Sequence, residues 1–173
     1  MKATRHIIIT TLITLCAFGS VLYTSCKNKC GSTTCQNGGV CENNICACPT
    51  GYSGNACQTG WADPVVGTYK CTRSNCKPAV TGVNSWVTSI TKDATNSGFT
   101  IDITNFDNSN TTIVAIVDSA IAGVTKITVS PAVGSGGINA SGTYLNGTIT
   151  LSFTTAALTG GASYSCNMSL IKE

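Results

Sequence analysis

The sequence predicts an all-β protein in two parts, a small disulfide-rich module followed by a larger antiparallel domain. Eleven cysteines occur in 173 residues, and six of them fall within residues 30–57. From residue 61 onward, apolar side chains alternate with Ser and Thr at period two, which is typical of half-buried strands. Turn signals separate these short segments, and no segment has the pattern of a strong helix.

The N-terminus has the layout of an export signal. Residues 1–6 are basic, and the run over 7–23 is largely apolar. This run has fewer apolar residues than the roughly 20 that a membrane-spanning helix needs. We therefore predict a cleaved signal peptide over residues 1–25, with a retained membrane helix as the alternative.

The end of this signal carries a motif of its own. Leu22-Tyr23-Thr24-Ser25-Cys26 resembles the lipobox of bacterial lipoproteins, above all the relaxed lipoboxes of Bacteroidetes. The resemblance implies that Cys26 is lipidated, that residues 26–29 form an anchor and tether, and that the membrane is a partner. The protein would then be a bacterial cell-envelope lipoprotein, in the outer membrane and facing the periplasm or the cell surface. The alternative is an ordinary signal with Cys26 in a disulfide.

Composition limits the chemistry of the mature chain. Residues 26–173 hold eight basic and seven acidic residues, and they contain no basic cluster suited to nucleic acid. The sequence's one histidine, His6, lies in the signal, so the commonest general base and metal ligand is missing. Asp102 and Asp107 are the nearest carboxylate pair, and they fit a strand face and a turn better than a catalytic dyad. We predict no enzyme, no cofactor and no metal.

Six closely spaced cysteines define the small module: Cys30, Cys35, Cys41, Cys46, Cys48 and Cys57. The segment has few large apolar residues, so cross-links must replace a hydrophobic core. Structural zinc prefers cysteine pairs two to four residues apart, and no Cys-x-x-Cys occurs here. Six cysteines allow 15 disulfide connectivities.

The remaining residues of this module resemble one family. Asn37-Gly38-Gly39-Val40-Cys41, Cys46-Ala47-Cys48-Pro49 and Gly51-Tyr52-Ser53-Gly54 are similar to an EGF-like domain over residues 30–57. The resemblance implies the pairs Cys30–Cys41, Cys35–Cys46 and Cys48–Cys57. Calcium-binding members carry acidic residues before the first cysteine, whereas residues 27–29 are Lys-Asn-Lys, so no calcium is expected. The module is then a spacer or a protein contact.

After a linker at 58–60, residues 61–173 predict an all-β domain. We place eight strands at 65–72, 84–92, 98–104, 111–118, 124–130, 137–145, 148–154 and 163–171, with a hairpin turn at Asn146-Gly147. Such a series favours an eight-stranded antiparallel meander barrel, because closure removes exposed edges. A β-sandwich is the alternative. Trp61 followed by Val66-Gly67-Thr68-Tyr69 resembles the opening of lipocalin-like small barrels.

Three cysteines remain in this domain. The first and last strands of a closed meander are neighbours, so Cys166 is expected to bond Cys76 or Cys71, and we favour Cys76 with Cys71 as a buried thiol. If Cys26 is not lipidated, all ten cysteines of the mature chain have potential partners.

The sequence does not identify a ligand. The sequence lacks recognisable catalytic groups and contains a predicted lipid anchor and a disulfide-rich module. These features favour a non-enzymatic, lipid-anchored envelope protein that contacts a protein or glycan partner through its β-domain. The alternative is a carrier of small hydrophobic ligands, with the barrel interior lined by the domain's aromatic residues: Trp86, Phe99, Tyr144, Phe153 and Tyr164.

Overall fold

The structure, a computed structural model, describes residues 30–95, 97–119, 123–129, 137–155 and 163–173. These residues contain twelve strands. The small module contains β1 (Val40–Glu42), β2 (Ile45–Ala47), β3 (Tyr52–Ser53) and β4 (Thr59–Gly60). The larger domain contains β5 (Gly67–Lys77), β6 (Ser85–Lys92), β7 (Thr100–Phe106), β8 (Thr111–Val117), β9 (Thr125–Val129), β10 (Ile138–Leu145), β11 (Thr148–Thr155) and β12 (Tyr164–Lys172). These described ranges contain no helix.

Strands β5 to β12 form a closed barrel in which each strand pairs antiparallel with the next. The last strand, β12, pairs with the first, β5, which closes the meander. The prediction of an all-β protein with an eight-stranded antiparallel barrel is confirmed, and the sandwich alternative is wrong. The two-residue connection between β10 and β11 is Asn146-Gly147, with φ of 47° and 80°, as the sequence predicts.

The largest difference between predicted and observed strands is at β5, which runs to Lys77 rather than to residue 72. Its second half pairs with β12 across a register shift between Ser165 and Asn167. Asn75, opposite this shift, has a φ of 52°. A bulge of this kind breaks the period-two alternation, so the pattern that predicted the strand stops before the strand does.

The barrel interior is filled by the apolar half of each strand. The largest fully buried side chains are Tyr69, Phe106, Phe153, Ile90, Ile101, Ile103, Ile113, Ile127, Ile149, Leu170, Val65 and Val117. Phe153 meets Phe106 edge-on at 5.1 Å between ring centroids and Tyr164 at 6.1 Å. Removing this apolar surface from water is the main driving force for closing the barrel.

The core of the small module consists mainly of disulfide-bonded cysteines. Cys30, Cys46 and Cys57 are buried together, and Tyr52 packs against them. Two short antiparallel pairs, β1 with β2 and β3 with β4, frame this cluster. The segment expected to be a linker, 58–60, contributes β4 to the second pair.

The two parts of the chain contact each other directly. Trp61 N donates to Gly51 O at 2.9 Å, and Ala62 N donates to Gly98 O at 2.9 Å. A Cβ on Gly51 would lie 2.5 Å from Phe99 Cδ1, and one on Gly98 would lie 2.7 Å from Gly51 O. Because both positions leave no room for a side chain, the module docks closely on the β6–β7 connection.

Candidate functional site

The outer face of β9, β10, β11, β12 and β5 carries rows of small polar side chains. The strand register places Thr128, Ser141, Ser152, Asn167 and Ser74 opposite one another in one continuous row. Row partners on adjacent strands lie about 4.8 Å apart, and residues two positions along a strand about 6.8 Å apart. The row therefore presents hydroxyl and amide groups at close, regular intervals.

A parallel row flanks the first on each side. One consists of Lys126, Thr143, Thr150, Ser169 and Thr72, and the other of Asn139, Thr154, Ser165 and Lys77. The only charged residues in these three rows are Lys126 and Lys77, and each lies at the end of its row. Between their ends the three rows are polar and uncharged. We call these three rows the polar rows.

Most residues of the polar rows line a groove. A cavity of about 620 Å³ lies over them, and a second of about 380 Å³ shares three of its lining residues, Ser141, Ser152 and Asn167. The larger cavity is lined by Asn75, Thr128, Val129, Asn139, Ala140, Ser141, Ser152, Phe153, Thr154, Ser165, Cys166 and Asn167. Both volumes are within the usual range of ligand sites, about 300–1,000 Å³.

Gly142 shapes the floor of this groove. A Cβ at Gly142 would overlap the backbone oxygen of Thr150 and would lie 2.8 Å from Leu151 Cα. Only glycine permits β10 and β11 to approach so closely at this point.

Hydrogen bonds within the rows hold several groove side chains in place. Ser152 Oγ donates to Asn167 Oδ1 at 3.0 Å, and the hydroxyls of Thr143 and Thr150 are 3.2 Å apart. A serine hydroxyl both donates and accepts, and an amide offers two donors and an acceptor. These side chains retain further hydrogen-bonding capacity toward solvent or a ligand.

A buried polar cluster lies at the end of the barrel next to the groove. Arg73 Nη1 donates to Asp107 Oδ1 at 2.7 Å, and Arg73 Nη2 donates to Val83 O at 3.1 Å. The Tyr164 hydroxyl donates to the other oxygen of Asp107. Burial first, and then the hydrogen bond and the negative charge of Asp107, raise the pKa of Tyr164 to about 12.

The carboxylates considered at the sequence level do not face one another. Asp107 turns inward to Arg73, whereas Asp102 lies on the outer side of β7, between the inward-facing Ile101 and Ile103. Burial, and then the charge of Asp93, raise the pKa of Asp102. The two carboxylates therefore form no common site.

The cysteines that the structure describes form four disulfides: Cys30–Cys41, Cys35–Cys46, Cys48–Cys57 and Cys76–Cys166. Cys71 is a buried free thiol, and burial raises its pKa to about 12. The sulfurs of Cys30, Cys35 and Cys46 lie within 4.8 Å of one another, but each belongs to a disulfide and is not available to a metal.

The predicted signal at 1–25, the lipidation site Cys26 and the tether at 26–29 lie outside the described residues. Within the described ranges, no helix has the length and apolar character to span a membrane. Of the aromatic residues proposed to line a cavity, Phe99 lies beside Trp61 at 6.4 Å, near the module contact. Phe153 is packed between the rings of Phe106 and Tyr164.

The sequence-level interpretation did not identify the polar rows. Alternation showed that the outward positions were Ser, Thr and Asn, but not which of them lie side by side. That alignment depends on the register of five strands. No local pattern in the sequence signals that alignment.

Comparison with known proteins finds similarity over a minority of the chain. It is 42% identical over 55 residues to Protein NEL of Gallus gallus, which covers 31% of this chain and 7% of that protein. It is 45% identical over 42 residues to Cadherin EGF LAG seven-pass G-type receptor 2 of Rattus norvegicus and of Homo sapiens, which covers 22% of this chain and 2% and 1% of those receptors. The chain thus spans under a tenth of the length of these relatives.

No family of known proteins matches the chain, and no solved structure matches it significantly. The similarity to proteins with EGF-like segments agrees with the EGF-like character of the disulfide-rich module. Disulfides persist in oxidising compartments. Together, the four disulfides and these relatives indicate an extracellular or secreted protein.

Proposed function

We propose that this protein is a non-enzymatic, lipid-anchored envelope protein that binds a neutral glycan in the groove of its barrel. The observation that carries the proposal is the alignment of the polar rows under a cavity of about 620 Å³. The EGF-like module serves as a spacer between the anchor at Cys26 and the barrel.

The chemistry of the groove matches a polyhydroxylated ligand. The central row offers three serine or threonine hydroxyls on β9, β10 and β11, followed by an amide and a further hydroxyl. Each of these groups both donates and accepts hydrogen bonds, as sugar hydroxyls do. A neutral glycan needs no charged partner, and the centre of the groove has none.

A protein partner is a weaker match to the same face. The buried centres of protein interfaces are enriched in Tyr, Trp, Met and Arg. The exposed groove residues are small and polar instead, and the exposed large apolar side chains of the barrel, Val83, Val87, Leu145 and Ile171, lie outside its lining. The groove therefore favours the glycan over the protein.

The carrier function receives less support from the interior. Phe153 is surrounded by Phe106 and Tyr164, and Trp86 is stacked under Arg73 at 5.7 Å from the guanidinium carbon to the ring centroid. These rings pack against protein groups, so each would have to move to admit a hydrophobic ligand.

The absence of an enzymatic role is supported by the placement of the acids. Asp107 is neutralised by Arg73, and Asp102 lies on the opposite side of the barrel wall. Asp102 and Asp107 therefore do not flank one bond, as the two carboxylates of glycoside cleavage must.

Direct contact between the module and the barrel supports a rigid spacer. The backbone hydrogen bonds at Gly51 and Gly98 fix the junction on both sides of Trp61. An ion pair of 2.5 Å between Asp63 Oδ1 and Lys92 Nζ connects the segment before β5 to β6. A spacer held in this way keeps a fixed orientation relative to the groove.

The groove is tested by binding to a panel of neutral polysaccharides, including β-glucan, mannan, xylan and amylose, with heparin as an anionic comparison. We expect the protein to be retained by at least one neutral polymer and to bind heparin more weakly. Ser152→Arg, at the centre of the rows, should weaken retention at least about tenfold by filling the groove, which corresponds to about 1.4 kcal/mol. Thr112→Arg, on the exposed side of β8, is the matched control and should bind normally.

Two outcomes contradict the glycan proposal: no retention by any neutral polymer, or equal retention of the wild type and Ser152→Arg. The anchor is tested separately by mass spectrometry of the mature N-terminus from the native host. A lipid-modified Cys26 supports the anchor, whereas an unmodified residue or a different first residue contradicts it.

A further inference from the structure

A third cavity lies on the barrel beside its contact with the EGF-like module, away from the centre of the groove. It has a volume of about 410 Å³ and is lined by Trp61, Asp118, Ser119, Val124 and Lys126. We call it the Trp61 cleft. Ligand sites occur preferentially at contacts between domains, and apolar walls with a few polar groups are typical of them.

Trp61 is held in place at this cleft. Its backbone N–H donates to Gly51 O, and the next residue, Ala62, is bonded to Gly98 O. Phe99 supports the indole at 6.4 Å between centroids, with the rings tilted by 53°. The indole is only partly buried, which is unlike the second tryptophan, Trp86, at 8% exposure.

The polar side of the cleft is also held by the fold. Asp118 N donates to Lys126 O at 3.0 Å, so these residues face each other across the β8–β9 connection. Both side chains are exposed, and the described residues include no ion pair between them. A carboxylate and an ammonium group therefore stand beside one aromatic ring, each available to a ligand.

We propose that the Trp61 cleft binds one pyranose ring, which stacks its apolar face on Trp61 and places its hydroxyls between Asp118 and Lys126. A hydroxyl donates to a carboxylate and accepts from an ammonium group, so a pair of neighbouring sugar hydroxyls satisfies both. A simple anion would be opposed by Asp118, and a simple cation by Lys126. A neutral ring with one apolar face has neither conflict.

The cleft shares Lys126 with the polar rows. This residue is the cross-strand partner of Thr143, which continues to Thr150 in the same polar row. The inference deepens the proposed function and rests on it for the class of ligand. It adds a ring-stacking subsite at the end of a groove that otherwise offers hydrogen bonds alone.

The two tryptophans allow the cleft to be tested directly by NMR. The indole N–H resonances of ¹⁵N-labelled full-length mature protein are assigned with Trp61→Phe, and methyl glycosides of glucose, galactose, mannose and N-acetylglucosamine are titrated. We expect a saturable shift of the Trp61 indole with at least one of them, while Trp86 stays fixed as an internal reference. For a ligand of this size, dissociation constants of the order of millimolar are expected.

Substitutions at the two charged residues then test whether their side chains contact the sugar. Asp118→Asn and Lys126→Met should each weaken the response about tenfold. Glu42→Gln, on the module hairpin, and Lys70→Met, exposed on β5 outside the polar rows, are matched controls and should leave it unchanged. The proposal is overturned if no glycoside moves the Trp61 indole, or if both indoles move together.

Different results would contradict the proposal for the cleft and the proposal for the groove. A Trp61 shift that persists in Ser152→Arg supports the cleft even if polysaccharide retention is lost. Retention of a polysaccharide with a Trp61 indole that no glycoside moves overturns the cleft and leaves the groove standing.

Discussion

Arg73 on β5 and Asp107 in the β7–β8 turn are 34 residues apart in sequence and form an ion pair of 2.7 Å inside the end of the barrel. Their side chains are 6% and 5% exposed. Asp107 has a φ of 53°, so the turn itself adopts a left-handed conformation to direct the carboxylate inward. The pair joins the first barrel strand to the turn between the third and fourth barrel strands.

Breaking this pair should be costly. Asp107→Asn leaves the guanidinium of Arg73 buried without its counter-charge, and we expect the free energy of unfolding to fall by about 3–5 kcal/mol. The double variant Arg73→Met with Asp107→Leu removes both charges and should be less destabilising than Asp107→Asn. Urea denaturation followed by circular dichroism checks this, and a loss below 1 kcal/mol for Asp107→Asn contradicts it.

Tyr164 should make stability depend on pH in the alkaline range. The pKa of Tyr164 is raised to about 12, whereas an unfolded tyrosine titrates near 10. Between these values the unfolded chain has released a proton that the folded chain retains. The contribution of the neutral phenol is therefore complete below about pH 10 and is lost as the pH rises toward 12.

Tyr164→Phe should show a shallower loss of stability between pH 10 and 12 than the wild type. It should also be less stable at pH 7 by about 1–3 kcal/mol, because the buried Asp107 loses a hydrogen bond. Tyr52→Phe, at a partly buried tyrosine of the module, is the control and should keep the wild-type slope. Denaturation midpoints across the pH range provide the measurement, and identical slopes for wild type and Tyr164→Phe refute the assignment.

The Cys76–Cys166 disulfide should stabilise the closed barrel strongly. It joins β5 to β12 across a sequence separation of 90 residues, whereas Cys48–Cys57 spans 9. Constraining a long loop in the unfolded chain has the larger effect, and we expect Cys76→Ala with Cys166→Ala to lose about 2–5 kcal/mol. Cys48→Ala with Cys57→Ala should perturb the module and leave barrel unfolding nearly unchanged. Equal effects of the two pairs on barrel melting would be inconsistent with this account.

Gly142 should be intolerant of even a methyl group. In Gly142→Ala the new Cβ meets the Thr150 backbone oxygen, which cannot rotate away as a side chain would. Overpacking of this kind typically costs about 1–3 kcal/mol. The neighbouring exposed change Ser141→Ala should be nearly neutral. Thermal melts compare the two, and equal melting temperatures would show that the strands do not approach as described.

Cys71 should be chemically inert in the folded protein. It is fully buried, and its pKa of about 12 leaves almost no thiolate at neutral pH. A thiol reagent such as DTNB should not label it in native protein and should label it rapidly in guanidinium chloride, with peptide mapping to identify the site. Labelling at equal rates in both conditions would place the thiol at the surface.

The strands and their order could be predicted because local pattern determines them. Ile101 and Ile103 alternate with Thr100 and Asp102, and Asn146-Gly147 supplies a hairpin turn, so each strand and connection has its own signal. Closure was predicted from the series of eight strands, because it removes exposed edges, and the bond of Cys166 to the first strand was then expected from closure. The second half of β5 was missed because the bulge opposite Asn75 interrupts the alternation.

The candidate sites could not be predicted in the same way. Ser141 and Ser152 face each other only because of the β10–β11 register, and Asn167 joins them only because of the β11–β12 register. The Trp61 cleft brings together residues from the module boundary and the β8–β9 connection, which are far apart in sequence. Long-range pairing of this kind has no local signal.

The most direct test of the account is a map of backbone amide shifts in ¹⁵N-labelled protein on titration with a neutral oligosaccharide from the polymer that is retained. The account predicts shifts concentrated at the polar rows, with Ser141, Ser152 and Asn167 among the largest, and none at interior positions such as Ile90. Shifts confined to the interior, or spread over the face of β6 to β8, would contradict a glycan site in the groove.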